Sequence, residues 1–145
     1  MQQQSPLKAE IIEKILERLL LIPNKTCWNS WFHAIRLLKK LIHKLNALMR
    51  ALQEREFLPQ ELEFLDEYVT VVEPLAVTLD YLQGDNASLG LVLPAIVKLQ
   101  EHLQSQIDGG SLKVCGILAE FILWDLNDRV SELNLFDDKD YILGK

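Results

Sequence analysis

The sequence predicts an all-α fold, an array or bundle of five to six helices. Apolar residues recur at spacings of three and four over most of the 145 residues, which is the period of a helix with one buried face. No stretch alternates apolar and polar residues with the period of two that a half-buried strand needs. Apolar residues make up 49% of the chain, a fraction that suits a globular core and excludes a disordered chain. We therefore expect a single helical domain over residues 1–145.

Composition also limits where such a chain could work. The longest uncharged apolar run, residues 87–97, contains Ser, Gly and Pro and is shorter than the roughly 18 residues of a membrane span. The N-terminus has no charged segment followed by an apolar one, so we expect no secretory signal. Cys27 and Cys115 have no metal-site spacing and are expected to be reduced thiols. These features predict an intracellular protein with no membrane partner.

The first two helices follow from the apolar pattern and its breaks. Residues 8–22 are predicted as a helix that Pro23 and Asn24 end. Residues 27–54 are predicted as one long helix, which Thr26 or Asn24 can cap.

The second predicted helix carries a heptad seam, in which apolar residues step alternately by three and four. The seam is widened by other leucines, and its members are Trp28, Trp31, Ile35, Leu38, Ile42, Leu45, Met49 and Leu52. Such a seam fits antiparallel packing in a bundle and equally a coiled-coil dimer. The candidate interface residues are therefore Ile35, Leu38, Ile42, Leu45, Met49 and Leu52.

The remaining elements are predicted from prolines, turns and apolar faces. A third helix should begin at Pro59 and kink where Pro74 removes a backbone donor. A fourth should cover residues 88–107, with Ser88 at its cap. A fifth, residues 111–133, is apolar on more than one side and is expected to be the central buried element. A short sixth piece is expected after residue 137.

Charge is distributed unevenly along the chain, although the net charge is −6. Residues 1–55 contain ten Lys and Arg and four Asp and Glu, a net +6, whereas residues 56–145 contain five and 17, a net −12. The basic face of the second predicted helix could neutralise nucleic-acid phosphates, bind another acidic partner, or be a solvated face packed beside acidic helices. The candidate DNA-binding residues are Trp28, Lys25, Arg36, Lys39, Lys40 and Lys44.

Trp28 and Trp31 begin the basic helix, and they can be interpreted in two ways. An aromatic ring next to basic residues can stack on a displaced base, or it can form the first layer of the seam's core. For Trp31, which is in register with Ile35 and Leu38, we expect the core position. For Trp28, both interpretations remain open.

No grouping of side chains predicts catalysis. None of the three histidines stands four residues from another or beside a cysteine, so we expect no metal site. There is no glycine-rich phosphate loop and no nucleophile elbow. The acidic groups Glu61/Glu63 and 137–140 are expected to be solvated surface. We therefore predict a non-enzyme with no catalytic residue, cofactor or small-molecule substrate.

Two segments in order resemble the hAT transposase superfamily. The run Lys25-Thr26-Cys27-Trp28-Asn29-Ser30 resembles its Lys-Thr-Arg-Trp-Asn-Ser motif. A second, similar run follows at the family's distance and comprises Glu73-Pro74-Leu75, Thr78, Leu82-Gln83-Gly84-Asp85, Ser88-Leu89, Val92-Leu93-Pro94, Leu99 and Leu103. The resemblance covers about residues 20–143. Cys27 stands where the family motif has arginine, which removes a positive charge and suits a decayed or host-adopted copy.

The resemblance implies an all-helical domain that is inserted into an RNase H-like core. The family's catalytic carboxylates and its BED zinc finger are not present in this chain. The family tryptophan that matches Trp28 stacks on an unpaired base at the cleaved DNA end. The implied function is an accessory DNA-contact or assembly module in the nucleus. The alternative is a protein-interaction or scaffolding remnant, or a homo-oligomer, that buries the heptad seam.

Overall fold

The computed structural model describes residues 6–18, 20, 23, 29–84, 88–134 and 137. Within these ranges the regular structure consists of six α-helices and no strand, which confirms the predicted all-α class. The helices are α1 (Pro6–Leu16), α2 (Ser30–Lys40), α3 (Ile42–Ala51), α4 (Pro59–Leu82), α5 (Leu89–Asp108) and α6 (Gly116–Glu132). The short piece expected after residue 137 lies outside the described residues, as do both candidate caps of the second predicted helix.

Contacts divide the chain into two compact units, residues 1–69 and 70–145. Helices α1, α2 and α3 belong to the first unit, and α5 and α6 belong to the second. Helix α4 begins in the first and ends in the second. The expectation of one domain over residues 1–145 stays a prediction.

Helix α1 is shorter than its apolar pattern predicts. It ends at Leu16 and not at residue 22, because Glu17 has a φ of 59°, a left-handed conformation that a helix does not contain. Ile12 and Leu16 are buried against Leu48 of α3. The core of the first unit is therefore built where α1 packs on α3.

The predicted long second helix is divided at Leu41. This residue has φ −106° and ψ 13° and separates α2 from α3. Its N–H donates at 3.0 Å to the carbonyl of Leu38, three residues earlier. In an α-helix the acceptor lies four residues earlier, so the backbone is wound more tightly at this point. The prediction of one helix over residues 27–54 was therefore wrong. Neither proline nor glycine marks the break, and the apolar spacing continues across it, so the sequence pattern does not indicate where the helix is interrupted.

The buried line along α2 and α3 is displaced from the centre of the seam. Of the leucines expected to widen the seam, Leu37 and Leu48 are buried and Leu41 is partly buried. The other buried residues are Phe32, Ala34 and the seam residue Leu45. Trp31 is 62% exposed. The prediction that Trp31 lies in the core was therefore wrong, because α2 turns its Phe32 and Leu37 side inward.

Two polar side chains fix the segment between α3 and α4. Asn46 donates to the carbonyl of Phe57 at 3.1 Å and accepts from the same residue's N–H at 2.8 Å. Glu61, in the first turn of α4, accepts from the N–H of Leu58 at 2.8 Å, which is one half of a capping box. Helix α4 begins at Pro59, as predicted.

Pro74 lies inside α4, where its ring nitrogen has no hydrogen to donate to the carbonyl of Thr70. Nε2 of Gln106, on α5, donates to that carbonyl at 2.9 Å. Gln106 therefore supplies from a neighbouring helix the bond that proline removes from within α4.

Helices α5 and α6 pack together in the second unit. The buried residues on this side are Leu99 and Leu103 of α5 and Cys115, Ala119 and Val130 at or within α6. Nε2 of Gln100 donates to Oδ1 of Asn127 at 2.6 Å across the pair. Ser88 precedes α5 at the cap position, but its side chain makes no capping hydrogen bond.

Helix α6 is not a central buried element, so that prediction was wrong. It begins at Gly116, after a bent segment at residues 113–115. Only one side of the helix packs on α5, and the large apolar side chains Ile117, Phe121 and Trp124 are exposed.

Candidate interaction surfaces

The predicted DNA-binding residues are only partly within the described structure. Lys25 and Trp28 lie outside the described residues. Arg36, Lys39 and Lys40 are on α2, and Lys44 is on α3. The structure thus places four of the six on consecutive helices of the first unit.

Two of these four cations hold carboxylates within the first unit. Nζ of Lys39 lies 3.0 Å from Oδ1 of Asp66, and Nζ of Lys44 lies 3.4 Å from Oε1 of Glu17. Arg36 is partly buried and makes contacts of its own. Lys40 is exposed and has no ion pair with a described carboxylate. These ion pairs favour the interpretation in which the basic helices pack beside acidic ones.

Ion pairs at a protein surface do not block a cation permanently. Such pairs contribute about 0–1 kcal/mol, and a phosphate could compete for the same lysine. DNA contact by Arg36, Lys39, Lys40 and Lys44 therefore stays a prediction.

The heptad seam is largely engaged inside the chain. Leu45 is only 2% exposed, and Leu52 packs against the cluster of Ile12, Leu16 and Leu48. The remaining candidate interface residues are partly buried, namely Ile35, Leu38, Ile42 and Met49. Their use as an interface stays a prediction.

The outer face of α6, formed by Ile117, Phe121 and Trp124, exposes three large apolar side chains on successive turns of one helix. These residues are 81%, 60% and 60% exposed. They recur at steps of four and three, so they form one stripe along the helix. The rings of Phe121 and Trp124 have centroids 6.0 Å apart and an interplanar angle of 37°, within the range of attractive aromatic pairs.

Acidic residues border the outer face of α6. The helix has four acidic residues and one basic residue, a net charge of −3. Asp125 is bound by Nε of Arg129 at 2.8 Å, and this hydrogen bond raises the pKa of Arg129. Glu120 is exposed beside the stripe, and Asp128 is exposed one turn beyond Trp124, at the C-terminal end of the stripe. The stripe therefore combines aromatic area with a negative border.

A shallow depression of about 260 Å³ lies where this face meets α5. Trp124 and Glu120 line it from α6, together with Leu123 and Asn127, and the last two turns of α5 contribute Gln104 and Ile107. The depression thus offers an indole ring, apolar walls and one carboxylate to a side chain that enters it.

The sequence contains the signal for this face, because residues 111–133 are apolar on more than one side, a pattern that also predicts a central buried element. With about 100° of rotation per residue, Ile117, Phe121 and Trp124 fall on the side opposite Ala119 and Val130. A helix with two opposed apolar faces can bury one of them within its chain and offer the other to a partner.

The described residues contain no group of three or more His, Cys, Asp or Glu side chains that could hold a metal ion. Among the same residues, no helix is long and apolar enough to cross a membrane. No protein-family model, curated protein or solved structure matches this chain.

Proposed function

We propose that this chain is the non-catalytic helical module of a hAT transposase-derived nuclear protein, and that it acts in assembly by docking a protein partner on the outer face of α6. The resemblance of residues 25–30 and of the run between Glu73 and Leu103 supports the first part. The all-helical fold agrees with what that resemblance implies.

The exposed aromatic stripe of α6 is the observation that carries the docking function. Exposed contiguous apolar patches on soluble proteins commonly mark interaction sites, and tryptophan is among the residues that contribute most to binding at interfaces. Burying Phe121 and Trp124 would remove two large side chains from water at once. The stripe lies on a regular helix, so a partner would meet a preformed surface.

A helical peptide tests this function directly. The probe is a fluorescent 18-residue peptide with leucines on one face and glutamines on the other, titrated into the whole chain and followed by anisotropy. We expect saturable binding that weakens about tenfold or more in Trp124→Ala, since a central tryptophan commonly contributes about 2 kcal/mol or more.

The matched control is Trp31→Ala, which removes the same side chain from an equally exposed site on α2. It should leave the affinity unchanged. Absence of binding, or equal loss in both variants, would contradict docking on α6.

DNA contact is the second candidate function, and the exposure of Trp31 favours it. An indole ring at the start of α2, three residues after Trp28 and on the helix that carries Lys40, is suitably placed to stack on an unpaired base. The phosphates of the same DNA would then be bound by Lys25, Arg36, Lys39, Lys40 and Lys44.

A labelled DNA hairpin with an unpaired end base tests the second candidate. Binding should weaken steeply as salt rises from low to moderate concentration, by about one power of salt per phosphate contacted. It should also weaken in Trp28→Ala and Trp31→Ala. Binding that is absent at low salt would eliminate DNA contact and leave the docking function untouched.

A further inference from the structure

We infer that the partner docked on α6 is a basic amphipathic helix, one of whose Arg or Lys side chains enters the depression between Trp124 and Glu120. This inference rests on the proposed docking function and adds the chemistry of the partner. It is carried by the charges around the stripe and by the residues that line the depression.

The border of the stripe selects a positive partner. Glu120 lies on one side of Phe121, and Asp128 follows Trp124 at the next turn. An acidic or neutral helix laid on the stripe would leave these carboxylates opposite like charges or apolar atoms, which is unfavourable. A helix with Lys or Arg beside its apolar face would pair with them.

The depression fits a long basic side chain. Ile107 and Leu123 provide apolar walls for its methylene stem, as lysine and arginine stems commonly use. Trp124 offers an indole for a cation–π contact, and Glu120 offers a carboxylate for a charge-assisted hydrogen bond.

The end of α5 adds a third source of attraction for a cation. Gln104 and Ile107 belong to the last turns of α5, which ends at Asp108. The C-terminus of a helix carries a partial negative charge that favours cations nearby. The C-terminal end of α5, the carboxylate of Glu120 and the indole of Trp124 would therefore all attract a cation in this depression.

A second copy of this chain is a poorer occupant of the stripe. Pairing two α6 helices would bring together two helices of net charge −3 each, and like charges close to each other oppose association. We therefore expect the chain alone not to dimerise by pairing α6 with α6 at micromolar concentration. A stable dimer that Phe121→Ser dissociates would overturn the inference.

Three peptides of identical apolar face decide the chemistry of the partner. Their flanking positions carry Lys, Gln or Glu, and each is titrated into the whole chain at low and at moderate salt. The Lys peptide should bind about tenfold tighter than the Gln peptide, and the Glu peptide weaker still, because each close charge pair contributes to affinity and to the rate of association.

Glu120→Gln should remove most of the preference for the Lys peptide over the Gln peptide, because it removes the carboxylate that would pair with the cation. Glu10→Gln, at an exposed site on α1, is the matched control and should preserve the preference. Both changes are at exposed positions, and circular dichroism would check that each variant is folded.

The outcomes separate the inference from the function on which it rests. Equal affinity for the Lys and Glu peptides would overturn the basic partner and leave docking on α6 standing. Failure of all three peptides to bind would overturn both.

Discussion

At the scale of single residues, a few polar side chains complete backbone bonds that the helices cannot complete themselves. Asn46 closes two bonds to Phe57, and Glu61 binds the N–H that precedes α4. The sequence marks Glu61 as acidic surface, but only the structure shows that it also caps a helix. Such roles depend on where a distant backbone passes, which residue type alone does not specify.

Asn46→Ala should lower the free energy of unfolding by about 1–3 kcal/mol, because it leaves the partly buried N–H and carbonyl of Phe57 without their partner. Urea unfolding followed by circular dichroism measures this change. The matched control is Asn127→Ala, which removes one bond on an exposed helix surface and should cost less than about 0.5 kcal/mol. Equal losses in the two variants would contradict a special role for Asn46.

Glu61 should make stability depend on pH in the acid range. Hydrogen bonds from Arg55, at 2.7 and 3.1 Å, and from the N–H of Leu58 lower the pKa of Glu61 below its usual 4.5. The stabilisation is therefore fully present above the unfolded-state pKa and is lost as pH falls through the lower folded-state pKa. The urea midpoint measured from pH 7 to pH 2 should fall less steeply for Glu61→Gln below about pH 4.5. An identical pH profile for the variant would contradict this account.

At the scale of elements, the apolar pattern predicts which segments are helical better than it predicts where a helix breaks or which side is covered. The start of α4 is marked by Pro59, whose fixed φ suits a first helical turn. The break at Leu41 has no such mark, since leucine is a good helix former. The two apolar sides of α6 could not be assigned from the sequence, because only tertiary packing decides that Ala119 faces α5 while Phe121 faces solvent.

The proline inside α4 provides a test at this scale. Gln106→Leu should lower the free energy of unfolding by about 1 kcal/mol, since the carbonyl of Thr70 loses the donor that replaces the missing N–H of Pro74. In a Pro74→Ala background the same change should cost less, because the alanine introduced at that position has an N–H that can donate to Thr70 within α4. Urea unfolding of the wild type, the two single variants and the double variant gives the coupling free energy between the two positions. Strictly additive effects would show that Gln106 does not compensate for the proline.

At the scale of the whole molecule, ion pairs among the described residues neutralise only part of the uneven charge in the sequence. Cations of the first unit hold carboxylates of the same unit, as in Lys39 with Asp66. In the second unit, α6 keeps a net negative border around its exposed aromatic stripe. The all-α class and the uneven charge were predictable from composition and period. The surface that we propose for docking was not, because it depends on which of two apolar faces the fold covers.

The outer face of α6 is the proposed binding surface of this chain. The most direct measurement is a titration of the ¹⁵N-labelled whole chain with the Gln-flanked and Lys-flanked peptides, followed through backbone amide chemical shifts. Docking on α6 predicts that the shift changes concentrate between Ile117 and Asp128 and in the last turn of α5, and that the amides of α2 and α3 change little. Shifts confined to α2 and α3, or none at all on α6, would contradict it.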